Sequence, residues 1–172
     1  MAAPTFDELL ERYHALDSQE QVILRLLSVV YEAANQTTLN TILDAIPGLI
    51  SSDTRVDQYL KHKFEPLGLI VLQQGKMQCP PSLLSGLTHD AVLRGEFDEM
   101  LAASLEFLPL IPEQYGYYRN NPDNDKRKLH YALHQENVAE FLALLGIDDP
   151  FATPDNRAES NVLEVDRKST RL

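Results

Sequence analysis

Apolar residues recur at helical spacing along most of this chain, and near the middle they give way to a short run that reads as a pair of strands. Thr5-Phe6-Asp7-Glu8 is a capping box, and Phe6, Leu9, Leu10 and Tyr13 share one face of a helix from about Thr5 to Leu16. Asp17 or Ser18 caps the next helix, with Glu20 and Gln21 placed for reciprocal capping. Val22, Ile23, Leu26, Leu27, Val29 and Val30 surround much of it, which marks a helix for the middle of a core. Thr37 or Thr38 is expected to cap a short helix holding Leu39, Ile42, Leu43 and Ile46, broken by Pro47-Gly48. Ser51 or Ser52 is expected to open another, with Val56, Tyr59, Leu60 and Phe64 on its buried side and Pro66 as a stop. Leu67 to Leu72 then form an apolar run and Gln73-Gln74-Gly75-Lys76 a turn. Met77-Gln78-Cys79 make a second strand, ended by Pro80-Pro81.

The second half returns to helical spacing. Ser82 starts a stretch with Leu83, Leu84, Leu87, Ala91 and Val92, interrupted by Gly86. Gly95 precedes another with Phe97, Leu101, Ser104, Leu105 and Leu108, ended by Pro109 and Pro112. Pro109 to Asp125 reads as a long loop, and long loops in compact domains are functional or partly disordered. Asp125 is expected to cap a helix with Leu129, Ala132 and Leu133. A last helix with Val138, Phe141, Leu142 and Leu145 closes at Gly146. These two form a helical hairpin, without the periodicity that a repeat array needs. Beyond Asp148 the pattern fades, and Ala152 to Leu172 read as a tail or linker.

The segment from Thr37 to Pro81, two short helices followed by a small hairpin, resembles a winged-helix (helix-turn-helix) domain. The expected fold is therefore mainly α: a winged-helix core with a β-hairpin wing and an N-terminal helical arm over 1–81, packed helical hairpins over 82–150, and a tail over 151–172. The resemblance implies that Arg55, Gln58 and His62 face outward at i, i+3 and i+7 of the second helix. With Lys61, Lys63 and the wing residue Lys76 they are the candidate DNA-binding residues, since such side chains reach base edges and phosphates in a major groove. Winged helices followed by helical hairpins are similar to modules that flank ATPase domains in large bacterial regulators, which implies the front part of a longer protein.

Charge argues against the DNA reading. The 172 residues carry a formal net charge of -11, and an acidic body repels a polyanion whose binding depends on phosphate neutralisation. Between Ser51 and Pro80, Arg55, Lys61, Lys63 and Lys76 face Asp53, Asp57 and Glu65, leaving almost no net charge. The hydrophobic fraction of 44% and charged fraction of 24% are those of a globular protein. No apolar run approaches a membrane span and no signal peptide is evident, so a cytoplasmic protein without membrane contact is expected.

Candidate chemistry is sparse. His130 and His134 share one helix face, but Tyr131 stands where a zinc protease has glutamate, and no third ligand is fixed. Asp123-Asn124-Asp125 lacks the glycine and glutamate of a calcium loop, because Lys128 and His134 occupy those places. No phosphate-cradling glycine loop occurs. Single Cys79 excludes an internal disulfide and reads as a packing residue. No metal or other cofactor and no enzymatic activity are expected. Tyr115, Tyr117 and Tyr118 on the long loop suit a protein interface, or else pin that loop to the helices. Lys126, Arg127 and Lys128 oppose the dipole at the start of a helix and are grouped with the tyrosines as partner-binding candidates. The expectation is a non-catalytic docking or regulatory module for a protein partner, with a DNA-binding transcriptional regulator as the alternative. Oligomeric state is left open.

Overall fold

The computed structural model describes residues 4–110 and 122–145. Among the described residues eight helices and two strands follow one another: α1 Phe6–His14, α2 Ser18–Val30, α3 Gln36–Asp44, α4 Gln58–Phe64, β1 Val71–Gln73, β2 Lys76–Gln78, α5 Pro81–Leu93, α6 Phe97–Phe107, α7 Pro122–His134 and α8 Val138–Leu144. The chain is mainly helical, with one small antiparallel sheet among the described residues. It divides into two compact units, Met1–Arg127 and Lys128–Leu172. Helices α5 and α6 thus share the first unit with α1 to α4, and residue 81 falls inside that unit.

In the first unit α2 is the central element. A capping box between Asp17 and Glu20 starts it, and every residue from Val22 to Val30 is buried. It packs mainly against α5 and α6, while α3 lies on α6 and α1 on α5. Burying so many aliphatic side chains, each worth about 1.5–3 kcal/mol, makes this helix the main source of stability. Helix α1 opens with the expected box between Thr5 and Glu8; Leu9 and Tyr13 face inward, whereas Phe6 is 44% exposed. Gly68 has a φ of 74° and lies against Leu9, a conformation and a proximity that both suit glycine.

The hairpin pairs Val71 with Gln78, Leu72 with Met77 and Gln73 with Lys76. Gln74 and Gly75 both have positive φ, as a type I′ turn requires. Ala34, between α2 and α3, adds a bridge to β2: its N–H donates to Met77 O at 2.9 Å and its carbonyl accepts from Met77 N at 2.8 Å.

Several element starts differ from expectation, each for a local reason. Asn35 caps α3, accepting from Thr38 N at 2.8 Å, because the bridge at Ala34 ends extended backbone one residue earlier. Helix α4 begins at Gln58 under the cap of Asp57, so Ser51 and Ser52 cap nothing. Val56 is buried but precedes the helix, and Tyr59, expected inside, is 71% exposed. Helix α5 starts at Pro81, a residue suited to a first turn, and runs through Gly86 without interruption. Helix α7 starts at Pro122 rather than after Asp125.

In the second unit the described residues are the end of α7 and α8. Glu136, with a φ of 55°, turns the chain between them, and the Asn137 side chain caps α8 by accepting from Glu140 N at 3.3 Å. Tyr131 and Ala132 are buried and Leu133 is exposed. The expected cap at Gly146 and the tail over 151–172 lie outside the described residues.

Candidate functional site

The connector before α4 is tied down by side chains that reach backbone. Asn40 of α3 grips Val56 from both sides: its amide nitrogen donates to Val56 O at 3.0 Å, and its oxygen accepts from Val56 N at 2.8 Å. Gln19 Oε1 accepts from Ser51 N at 2.6 Å and from Thr54 Oγ1 at 3.1 Å. These bonds hold Ser51 to Val56 out of the helix that its apolar spacing suggested.

The candidate DNA-binding side chains do not form the expected helical stripe. Arg55 lies on the connector, outside α4, and pairs with Asp44 at 2.7 Å. Gln58 and His62 are one turn apart, and their Nε2 atoms meet at 3.0 Å. Lys63 is ion-paired with Glu20 of α2, whose hydrogen bond raises its pKa despite some desolvation. The exposed Arg55–Asp44 pair is worth at most about 1 kcal/mol, so a phosphate could displace it. Removing Lys63 from Glu20 costs more, because that carboxylate is 8% exposed. Lys61 is partly buried, and Lys76 is exposed beside the hairpin turn.

Lys76 belongs with a different group of residues. A cleft of about 540 Å³ lies beside β2, lined by Tyr31 and Glu32 at the end of α2, by Asn35 and Thr38 at the start of α3, and by the hairpin residues Lys76 and Gln78. Leu84 of α5 and Lys126 and Arg127 of α7 also line it. The structure therefore joins one candidate from the DNA set with two from the partner set. Arg127, one of the partner-binding candidates, has a side chain 3% exposed, bridging Glu32 at 3.4 Å and donating to Leu108 O at 2.8 Å. Lys128 is half-buried in the second unit. Tyr115, Tyr117 and Tyr118 lie outside the described residues.

A polar cluster that the sequence reading passed over sits inside the first unit. Arg25 is buried in α2 and donates to both oxygens of Glu96, Nε at 2.7 Å and Nη2 at 3.1 Å. Its Nη1 donates to Tyr13 Oη at 2.7 Å and lies 3.3 Å from Asp90, while Tyr13 Oη donates to Asp90 at 2.6 Å. Burial, together with the Asp90 hydrogen bond, pushes the Tyr13 hydroxyl up to about 12, with Arg25 opposing. Burial works to raise the Asp90 pKa, but hydrogen bonds from Tyr13 and Arg94 outweigh it and bring it down. The available signal was one arginine inside the mostly apolar run from Val22 to Val30. Because every member is satisfied by another protein group, the cluster is a structural tie.

Cys79 is buried, and burial alone raises its thiol pKa to about 12, which makes it a poor nucleophile. His130 and His134 approach edge to face with ring centroids 4.7 Å apart. Among the described residues no three metal-ligating side chains converge, and no helix is long and apolar enough to cross a membrane. Comparison with known proteins identifies no relative: no family model, no curated protein and no solved structure matches the chain.

Proposed function

We propose that the protein is a non-catalytic winged-helix module that docks a protein partner through the outward face of α4. The order α2, α3, α4, hairpin, with the stretch before α3 bridged to β2, supports the winged-helix reading. The observation that carries the docking reading is the character of α4: it exposes the aromatic Tyr59 at 71%, while Lys63 on the same helix is committed to Glu20. An exposed tyrosine supplies contact area at low entropic cost and is enriched at protein interfaces. The net charge of -11 acts in the same direction, against a polyanion.

Fluorescence anisotropy with duplex and single-stranded DNA, from low to physiological salt, tests the choice between partners. The docking reading expects no saturable binding to either. Binding with a steep salt slope, lost in Arg55→Ala and Lys76→Ala, would establish the DNA-binding regulator instead. A photo-crosslinking residue at position 59 gives the complementary result, a discrete protein adduct in cells and no nucleic-acid adduct.

A further inference from the structure

We infer that β1 is a pairing edge for a second copy of this chain, joined antiparallel about Leu72 so that two hairpins form one sheet. The alternation of an antiparallel ladder fixes where its backbone groups point. Met77 turns its N–H and carbonyl away from β1, and Ala34 takes both. Leu72 stands opposite Met77, so these two are a non-hydrogen-bonded pair and Leu72 turns its own N–H and carbonyl outward. By the same alternation Gln73 with Lys76, and Val71 with Gln78, are the hydrogen-bonded pairs. The hairpin is thus closed along β2 and open along β1. Among the described residues no strand lies beyond β1, and neither backbone group of Leu72 bonds another residue.

An open edge pairs with an extended chain unless charge, proline, a bulge or a covering element guards it. From Leu67 to Gly75 no residue is charged and none is proline, in a chain whose charged fraction is 24%. Lys76, the first charge after the turn, stands on β2. Val71 is 45% exposed and Leu72 half-buried, so both faces of the edge can receive a neighbour.

A second copy is the occupant these residues fit. A two-fold axis at Leu72 sets each Leu72 N–H against the other copy's Leu72 carbonyl, which gives two bonds in a single register. It sets Val71 opposite the other copy's Gln73 on the exposed face. On the inner face Met77 and Leu72, already side by side, continue into their counterparts as one apolar row. No charged side chain meets another across this seam. Two bodies of net charge -11 repel at a distance, so pairing strengthens as salt screens them. A basic peptide strand on the same edge would show the opposite dependence.

Sedimentation equilibrium of the full chain tests this, from about 10 to about 500 µM and from low to physiological salt. A reversible dimer is expected, tighter at the higher salt. Amide exchange locates the seam: protection of the Leu72 N–H rises with protein concentration, whereas the Met77 N–H, held by Ala34, is protected throughout. Leu72→Pro removes the donors of both new bonds and none from the hairpin, so it abolishes the dimer and keeps the wild-type circular dichroism. Val71→Glu, at an exposed position, sets two carboxylates diagonally across the seam and weakens the dimer at least about threefold. A monomer under all these conditions overturns the inference. So does a dimer that both substitutions leave intact, or a Leu72 amide whose exchange ignores concentration. No residue of α4 enters, so the α4 experiments succeed or fail separately.

Discussion

On one side of α2, helices α1, α5 and α6 close around a buried arginine and a continuous aliphatic core. On the other side, the connector and α4 are fastened by individual side chains: Asn40 on Val56, Gln19 on Ser51 and Thr54, Glu20 on Lys63. The first arrangement distributes its stability over many contacts. The second adds a few side-chain bonds, each worth about 1 kcal/mol, to the burial of Ile50, Val56 and Phe64. Local opening should therefore be cheaper around α4 than around α2, and α4 is the element proposed to meet a partner.

The largest expected effect tests the core side. Arg25→Ala leaves Glu96 and Asp90 without their buried cation and opens space in the middle of α2. Urea denaturation should show a loss of about 3 kcal/mol or more, as for other broken buried pairs. A loss below about 1 kcal/mol would mean that the cluster ties nothing together, and the contrast between the two sides would disappear.

The same contrast explains what the sequence made legible. Helices α1 and α2 followed directly from spacing and capping residues, because long amphipathic or wholly apolar runs leave few alternatives. The hairpin was equally readable from the turn at Gln74-Gly75. The start of α4 was not: Val56, Tyr59, Leu60 and Phe64 carry helical spacing, yet the Asn40 and Gln19 clamps hold the first part of that segment outside the helix. Those clamps are contacts between distant residues, which periodicity cannot register. Of the candidate site residues, Lys76 and Lys126 were singled out separately, and only the fold puts them in one cleft. The burial of Arg127 is not legible either, because its partners, Glu32 and Leu108 O, lie far away in the chain.

The next effect in size is a pH dependence. The folded state holds the Tyr13 proton more tightly than the unfolded chain does, with a pKa of about 12 against an ordinary 10.0. That contribution is fully present below pH 10 and is lost as pH rises through the folded value. In this window Tyr13 adds a slope of about 1.4 kcal/mol per pH unit. Cys79 and Lys63, also raised, act in the same direction. Stability measured between pH 10 and 12 should fall less steeply in Tyr13→Phe, by about one proton. An unchanged slope would show that the hydroxyl is not held between Asp90 and Arg25.

The smallest effect is the most informative about α4. Asn40→Ala removes both bonds to the backbone of buried Val56 and should lower global stability by about 1–2 kcal/mol. Its distinguishing signature is local. Amide hydrogen exchange in α4, at Leu60 and Lys61, should accelerate well beyond the exchange of α2 amides such as Leu26 and Leu27. Asn40→Asp can still accept from Val56 N but cannot donate to Val56 O, so it should recover only part of the protection. Equal acceleration in both helices would mean that the clamped side and the aliphatic core open as one cooperative unit. Helix α4 would then present Tyr59 from a rigid surface, and partner binding would need no local opening.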